Sequence, residues 1–302
     1  MKRLLILICI LAALAVGALA IHPPLRHYAL VQIGRGNGCS PARAWAIEAE
    51  KRELTRVKDE ILSKQKLLQK ELNGLEQYET QYGTFWAPAG SRYTLPFNLA
   101  EEATHIYGTG DRFVRKGDIV LDCGANVGTF ARFALTAGAS KVIAIEPAPD
   151  NLECLRRNFK QEIDDGRLLI YPKGVWDKED FLELLVDPEN QAADSFVIHR
   201  EGAKAIAKIP LTTIDNLVTE LKLERVDFIK MDIEGAEVKA LYGAKATLAK
   251  FHPRMSLSVY HDQAHPFEVP EAARAAWPGY QTECGPCNAV PGAVRADIMY
   301  FK

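Results

Sequence analysis

Apolar and polar positions along the chain change period several times, and each change predicts an element. Residues 4–21 are apolar without a charge, behind Lys2 and Arg3 and ahead of Pro23-Pro24. That run is at the short edge of a membrane-spanning helix, so 1–21 is expected to be an uncleaved anchor, with Ala18-Leu19-Ala20 leaving a cleaved export signal as the alternative. Over 42–77 the apolar residues Leu54, Val57, Ile61, Leu68, Leu72 and Leu75 recur at helical spacings with charges between them. The expectation is an amphipathic helix or stalk, resting on the domain or the membrane, with room for a dimer through it. Lys64 and Glu71 interrupt a strict heptad. Gly83, Pro88, Gly90 and Pro96 mark 82–96 as a linker.

From residue 96 onward, short apolar runs alternate with helical patterns. Strands are predicted at 120–123, 141–146, 167–171, 209–214 and 226–232, with helices over 131–136, 151–159 (Asp150 as N-cap) and 215–221. A hairpin is expected from 181–186 and 195–199, and a late antiparallel pair from 255–261 and 295–301. Strand alternating with helix means an α/β, doubly wound, mostly parallel sheet, whose ligands sit at the C-terminal ends of the strands.

The chemistry concentrates at the first of those ends, in Asp122-Cys123-Gly124-Ala125-Asn126-Val127-Gly128. Gly124 and Gly128 leave a bare loop backbone ahead of a helix start, which suits a nucleotide-type ligand. A dinucleotide site needs G-x-G-x-x-G, and Asp122 stands where the first glycine would be. An anion there repels pyrophosphate and favours a ligand with a cationic end, such as S-adenosylmethionine. Glu146 ends the next strand, about 20 residues on, where a carboxylate can hold ribose hydroxyls. Gly174-Val175-Trp176-Asp177 could close over the adenine, with Val175 as the contact, or Trp176 could simply be core. Asp232, Glu234 and Glu237 bring three carboxylates to the same rim, a costly cluster unless solvated, paired or used.

A net charge of −2 over 302 residues makes no case for nucleic acid. The chain has no Asn-x-Ser/Thr sequon. Cys284-Gly285-Pro286-Cys287 copies the letters of a redox centre, but Asn288, Pro291 and Gly292 forbid the helix such a centre needs. A loop-stapling disulfide or two free thiols is the expectation there. The cysteines form no metal-type quartet, and no metal is expected.

The pieces VLDCGANVGTF, IAIEPAPDN, GVWD, IPLTTIDNLV, DFIKMDIEGAEVKAL and SVYH, in this order, resemble the FkbM-like family of S-adenosylmethionine-dependent methyltransferases over about 96–302. The resemblance implies a class I, Rossmann-like, seven-stranded methyltransferase domain that methylates a hydroxyl on a sugar, glycan or secondary metabolite. It would place Asp122, Gly124, Asn126 and Gly128 at the methionine end of the donor, Glu146 at the ribose, and Asp232 and Glu234 beside the methyl. The base is then Asp232, Glu234 or His261, which lie at the ends of neighbouring strands. Two other readings stay open, a catalytically inactive scaffold and an NAD or nucleotide-sugar oxidoreductase, the second opposed by Asp122. Because the donor is made in the cytosol, the domain is expected on that side, with Cys284 and Cys287 reduced.

Overall fold

The computed structural model describes Gly17, residues 22–186 and residues 204–302. The expected anchor, apart from Gly17, and the expected strand at 195–199 lie outside the described residues. Among the described residues no helix is long and apolar enough to cross a membrane.

The chain opens with α1 (Pro23–Gln32) and α2 (Pro41–Lys64), the second capped by the Ser40 hydroxyl and started by Pro41. The helical period over 42–77 therefore holds only to Lys64, where Gln65 turns extended. Beyond it come β1 (Lys66–Lys70), β2 (Leu75–Thr80) and β3 (Gly83–Pro88), an antiparallel sheet in the order β1-β2-β3. Asn73-Gly74, with Gly74 at φ 83°, lies in the turn that folds β2 back on β1, and Leu68 and Leu72 project into solvent instead of extending the apolar face of α2. The expected linker at 82–96 is instead β3 and the start of α3 (Thr94–Ala103).

The second layer is a mixed seven-stranded sheet. It runs through β4 (Ile119–Cys123), α4 (Thr129–Thr136), β5 (Lys141–Ile145), α5 (Pro149–Asn158), α6 (Lys160–Asp164) and β6 (Leu168–Tyr171). There follow β7 (Gly174–Val175), β8 (Asp180–Val186) and β9 (Lys204–Thr212), which form a small side sheet in which β8 and β9 are antiparallel. The chain re-enters the main sheet through α7 (Ile214–Glu220), β10 (Phe228–Met231), α8 (Glu237–Tyr242), α9 (Lys245–Phe251), β11 (Arg254–Ser258) and α10 (His265–Ala276). It ends in β12 (Thr282–Cys284), β13 (Cys287–Val290), β14 (Ala293–Ala296) and β15 (Ile298–Phe301).

The order of the main sheet is β12-β15-β11-β10-β4-β5-β6, parallel from β11 to β6 and antiparallel at β15 and β12. The strand expected at 295–301 is thus two strands. Residues 293–296 pair with β13 in a separate ribbon, and Asp297 marks the break before β15. Helix α5 starts at Pro149 with Ala148 as its N-cap, leaving Asp150 in the first turn, and β9 stops at Thr212, whose neighbour Thr213 caps α7.

Apolar clusters fill both faces of the sheet, and Val57, Ile61, Tyr78, Phe85 and Leu99 join Val127 and Cys154 in a third cluster. The amphipathic face of α2 is therefore buried within its own chain. From β4 the chain goes out to β5 and β6 and then returns to β10 on the other side, so the crevice between the ends of β4, β5 and β10 is the switch point where such sheets bind ligands.

Candidate active site

At the end of β4 the backbone turns sharply, with Gly124 at φ 79° and Asn126 at φ 50°. A Cβ on Gly124 would stand 1.9 Å from the Asp232 carbonyl oxygen, so only glycine lets β4 and β10 end side by side. Gly128, at φ 92°, lies against the Phe159 ring at the start of α4 and does not line the crevice. The loop amides are already engaged. Gly124 and Ala125 donate to the Ile145 carbonyl, Asn126 to Glu146 Oε2 at 2.8 Å, and Val127 to its neighbour's side chain. The glycine loop is thus braced on the end of β5 instead of offering free N–H groups to a ligand.

Asp122 also lies elsewhere than the motif suggests. It is fully buried beneath the loop, with Lys230 Nζ at 3.4 Å from its Oδ1, because the parallel register sets Asp122 beside Lys230. Burial pushes the Asp122 carboxyl up, and Lys230 opposes it. Burial likewise works against the Lys230 ammonium, yet Asp122 and Asp232 hold its proton above the ordinary lysine value. Lys230 also donates to the Gly124 carbonyl at 2.8 Å and lies over the rings of Tyr107 and Phe130. Asp122 therefore holds the turn through Lys230 and does not face the crevice.

The crevice itself, about 60 Å³, is walled by Gly124, Asn126, Glu146, Val175, Asp232 and Glu234. Glu146 sits at its β5 side and takes N–H groups from Asn126 and Ala148. Burial raises its pKa, against those two hydrogen bonds. Gly174 and Val175 line the wall, whereas Trp176 stands outside it, its N–H bonded to Thr212 and its ring under Lys239.

On the other wall Asp232 accepts the Tyr107 hydroxyl at 2.8 Å. Burial works against its charge, but His261 and Lys230 hold it below the usual carboxylate range. His261 Nδ1 lies 2.9 Å from Glu237 Oε1, and its Nε2 lies 3.5 Å from Asp232 and 3.7 Å from Glu234. Burial lowers the imidazole's pKa, yet Glu234, Glu237 and Asp232 raise it to about 10. Near neutrality His261 therefore carries a proton, which leaves the carboxylates as acceptors.

Two acids of α3 join this rim from a part of the chain with no motif. Glu101 has its pKa raised to about 8 by burial and by Asp232, and buried Glu102 is raised well above the ordinary value by burial. Both line a hollow of about 160 Å³ with Asp232 and Tyr260. Beyond it opens a cleft of about 700 Å³ under α2, bordered by Tyr107, Arg112, Tyr260 and Arg295. No motif or spacing in the sequence points to Glu101 or Glu102, which reach the rim only because α3 packs there.

A model of the methyltransferase FkbM domain matches residues 122–285. The chain belongs to the FkbM methyltransferase family. The matched span begins at the end of β4 and includes the glycine turn, Glu146, Val175, Asp232, Glu234 and His261, while α1 to α3 and the N-terminal sheet lie outside the FkbM match. The 2-O-methyltransferase NoeI of Sinorhizobium fredii is 28% identical over 160 residues, which cover 48% of this chain and 64% of NoeI. The methyltransferase FkbM of Methylobacillus flagellatus aligns with 18% identity and a TM-score of 0.47, over 86% of this chain and 62% of that one. A protein of Streptococcus mutans in complex with SAH aligns with 13% identity and a TM-score of 0.36, over 62% of this chain and 89% of that one.

The cysteines correct one expectation. Cys287 is joined to Cys39 in a disulfide, so it is neither a reduced thiol nor the partner of Cys284, whose Sγ lies 3.3 Å from it. Cys39, absent from the sequence argument, reaches Cys287 because α1 and α2 fold back over β13 and β14.

Proposed function

We propose that this chain is an S-adenosylmethionine-dependent O-methyltransferase acting on a hydroxyl of a sugar, glycan or similar polyol. The observation that carries the reading is the pair of acidic walls at the switch point, with Glu146 on the β5 side and Asp232 and Glu234 on the β10 side. An anionic crevice of this kind favours a sulfonium donor with ribose hydroxyls over a pyrophosphate. Bound there, the donor supplies an electrophilic methyl whose carbon–sulfur bond breaks as the acceptor oxygen attacks, leaving neutral S-adenosylhomocysteine. The protein's part is to align the oxygen and take its proton. In this reading Glu146, held by the N–H groups of Asn126 and Ala148, would accept the ribose hydroxyls, and Val175, on the crevice wall, would flank the adenine. Asp232, steadied by Tyr107, and Glu234 stand between this crevice and the α2 cleft, where a carboxylate can receive the proton.

The acceptor class is supported by the cleft's mixture of tyrosines with Arg112 and Arg295, which suits a ligand rich in hydroxyls, and by the 2-O-methyltransferase named among the relatives. The test is a thermal shift of the purified chain with S-adenosylhomocysteine and with NAD, followed by transfer of labelled methyl to polyol acceptors. Stabilisation by NAD alone would sink the reading.

A further inference from the structure

We propose that the acceptor is an uncharged sugar ring seated against Phe97 and Glu101 of α3, and that these two side chains set the choice of acceptor. The inference rests on the methyl-transfer reading and gives its acceptor a place and a charge. Three spaces lie in series along the rim. Asp232 and Glu234 border both the donor crevice and the hollow of about 160 Å³, while Phe97, Glu101, Tyr107 and Tyr260 border both that hollow and the cleft of about 700 Å³ under α2. An acceptor that enters through the cleft and reaches Asp232 therefore passes a neck made of three aromatic rings and one carboxyl.

At that neck both tyrosine hydroxyls are already committed, Tyr107 to Asp232 Oδ2 at 2.8 Å and Tyr260 to Asp232 Oδ1 at 3.4 Å. Among the described residues the Glu101 carboxyl makes no side-chain hydrogen bond, which leaves it for an incoming hydroxyl. Burial and Asp232 raise its pKa to about 8, against Lys230, so near neutrality it holds a proton and can both donate and accept. Phe97 lies one helical turn earlier on the same face of α3. It is 40% exposed and joins none of the three apolar clusters, so the fold does not depend on it. A lone exposed phenylalanine needs no explanation, but one beside an uncommitted carboxyl forms the pair that a sugar requires. The C–H face of a sugar ring lies on the negative face of an aromatic ring, and its hydroxyls need a placed polar partner.

Charge narrows the class further. Asp232 is held below the usual carboxylate range, and Lys230, the one cation among the described residues on the wall of the hollow, is taken up by Asp122 and the Gly124 carbonyl. On the cleft side Arg112 and Arg295 already pair with Glu283 and Asp297. A carboxylate, sulfate or phosphate on the ring would face Asp232 with no free cation to offset it, whereas a neutral ring meets no such cost. Phe97, Glu101 and Tyr107 all precede the FkbM match at residues 122–285, so this selectivity belongs to the part of the chain that the match leaves out.

The experiment is calorimetry on the full chain with S-adenosylhomocysteine present, using neutral methyl glycosides and oligosaccharides of glucose, galactose, mannose and N-acetylglucosamine, and the matching uronates. Neutral sugars are expected to bind, with uronates weaker by about tenfold or more. Phe97→Ala should weaken the neutral sugar about tenfold and Phe97→Tyr should restore it. Glu101→Ala should weaken it similarly, while Glu101→Gln, which keeps a donor and an acceptor, retains most of the affinity. In all four variants S-adenosylhomocysteine affinity and the thermal midpoint should stay at wild-type values, which a merely structural role would not allow. Failure of every neutral sugar to bind, uronates bound as tightly, or wild-type sugar affinity in Phe97→Ala and Glu101→Ala overturns the subsite. Sugar binding that Phe97→Ala weakens, in a chain that binds no S-adenosylhomocysteine, would remove the methyl-transfer reading and keep the subsite. Transfer of labelled methyl to an acceptor whose KM ignores both alanine variants would keep that reading and remove the subsite.

Discussion

At the scale of single residues, the pair Asp122 and Lys230 carries the clearest energetic consequence. Both carboxylate oxygens of Asp122 lack a hydrogen-bond partner among the described residues, and the nearest cation is Lys230 at 3.4 Å. Lys230→Met leaves that carboxylate buried and uncompensated, and the expected loss is about 3–5 kcal/mol in urea unfolding. Adding Asp122→Asn should recover most of it, and an unchanged midpoint in Lys230→Met would refute the pairing. Glu146→Gln keeps the shape but removes the charge from the proposed ribose contact. Calorimetry should show S-adenosylhomocysteine affinity reduced on the order of tenfold to a hundredfold, the range of a hydrogen bond to a charged group. Asp297 gives the pH dependence. Burial, opposed by Arg295, raises its pKa from 3.8 to about 6, so folding takes up a proton between those values. Its contribution to stability is full below pH 3.8 and is lost as pH rises through 6. Asp297→Asn is therefore expected to gain on the order of 1–3 kcal/mol at pH 8 and progressively less toward pH 4, read from urea midpoints. A gain that is the same at both pH values would exclude this titration as the cause. The same residues mark what the chain's letters conveyed. Glu146 was legible because a strand-end acid at that distance from a glycine turn has one place to go. The facing of Asp122 was not, because it depends on which strand lies beside β4, and Lys230 arrives from over a hundred positions away. Glu101 and Glu102 reach the rim by tertiary packing of α3 and carry no motif.

At the scale of elements, the turn after β4 is tested through Gly124. Two strands can end side by side there only while nothing occupies the space of a Cβ, 1.9 Å from the Asp232 carbonyl, and the backbone is left-handed as well. Gly124→Ala must therefore push the end of β10 away and move Asp232 with it, so S-adenosylhomocysteine binding should be lost and the melting midpoint should fall by several degrees. Wild-type affinity in that variant would show that the turn is not rigid. The strand–helix alternation from β4 to β10 was readable because each strand is a short apolar run bounded by turn residues, and its neighbours in space are largely its neighbours in sequence. The 42–77 segment misled for the opposite reason. Its helical spacing continues past Lys64, but a hairpin needs only Asn73-Gly74 to outweigh a few more leucines on a helix face. At 295–301 an apolar run reads as one strand, yet pairing with β13 on one side of Asp297 and with β11 on the other divides it.

At the scale of the whole molecule, the N-terminal layer is tied to the last strands by a covalent bond that closes the chain over 248 positions. A cross-link of that span removes much of the freedom of the unfolded chain, and losing it typically costs about 2–5 kcal/mol. The bond also anchors the start of α2, which roofs the α2 cleft, so its loss should loosen the proposed acceptor site more than the donor crevice. Cys39→Ser is accordingly expected to lower the unfolding free energy by that amount and to raise the acceptor KM, with S-adenosylhomocysteine affinity little changed. Cys284→Ser serves as the control, since Cys284 is not in the bond and should leave both quantities near wild type. Such a bond persists where the surroundings are oxidising, which runs against the expectation of a reduced Cys287 on the cytosolic side. Thiol labelling of the denatured protein, taken directly from cells, decides it. Two protected cysteines that map to Cys39 and Cys287 are expected, and free Cys39 in the native protein would remove both the cross-link and the stability assigned to it.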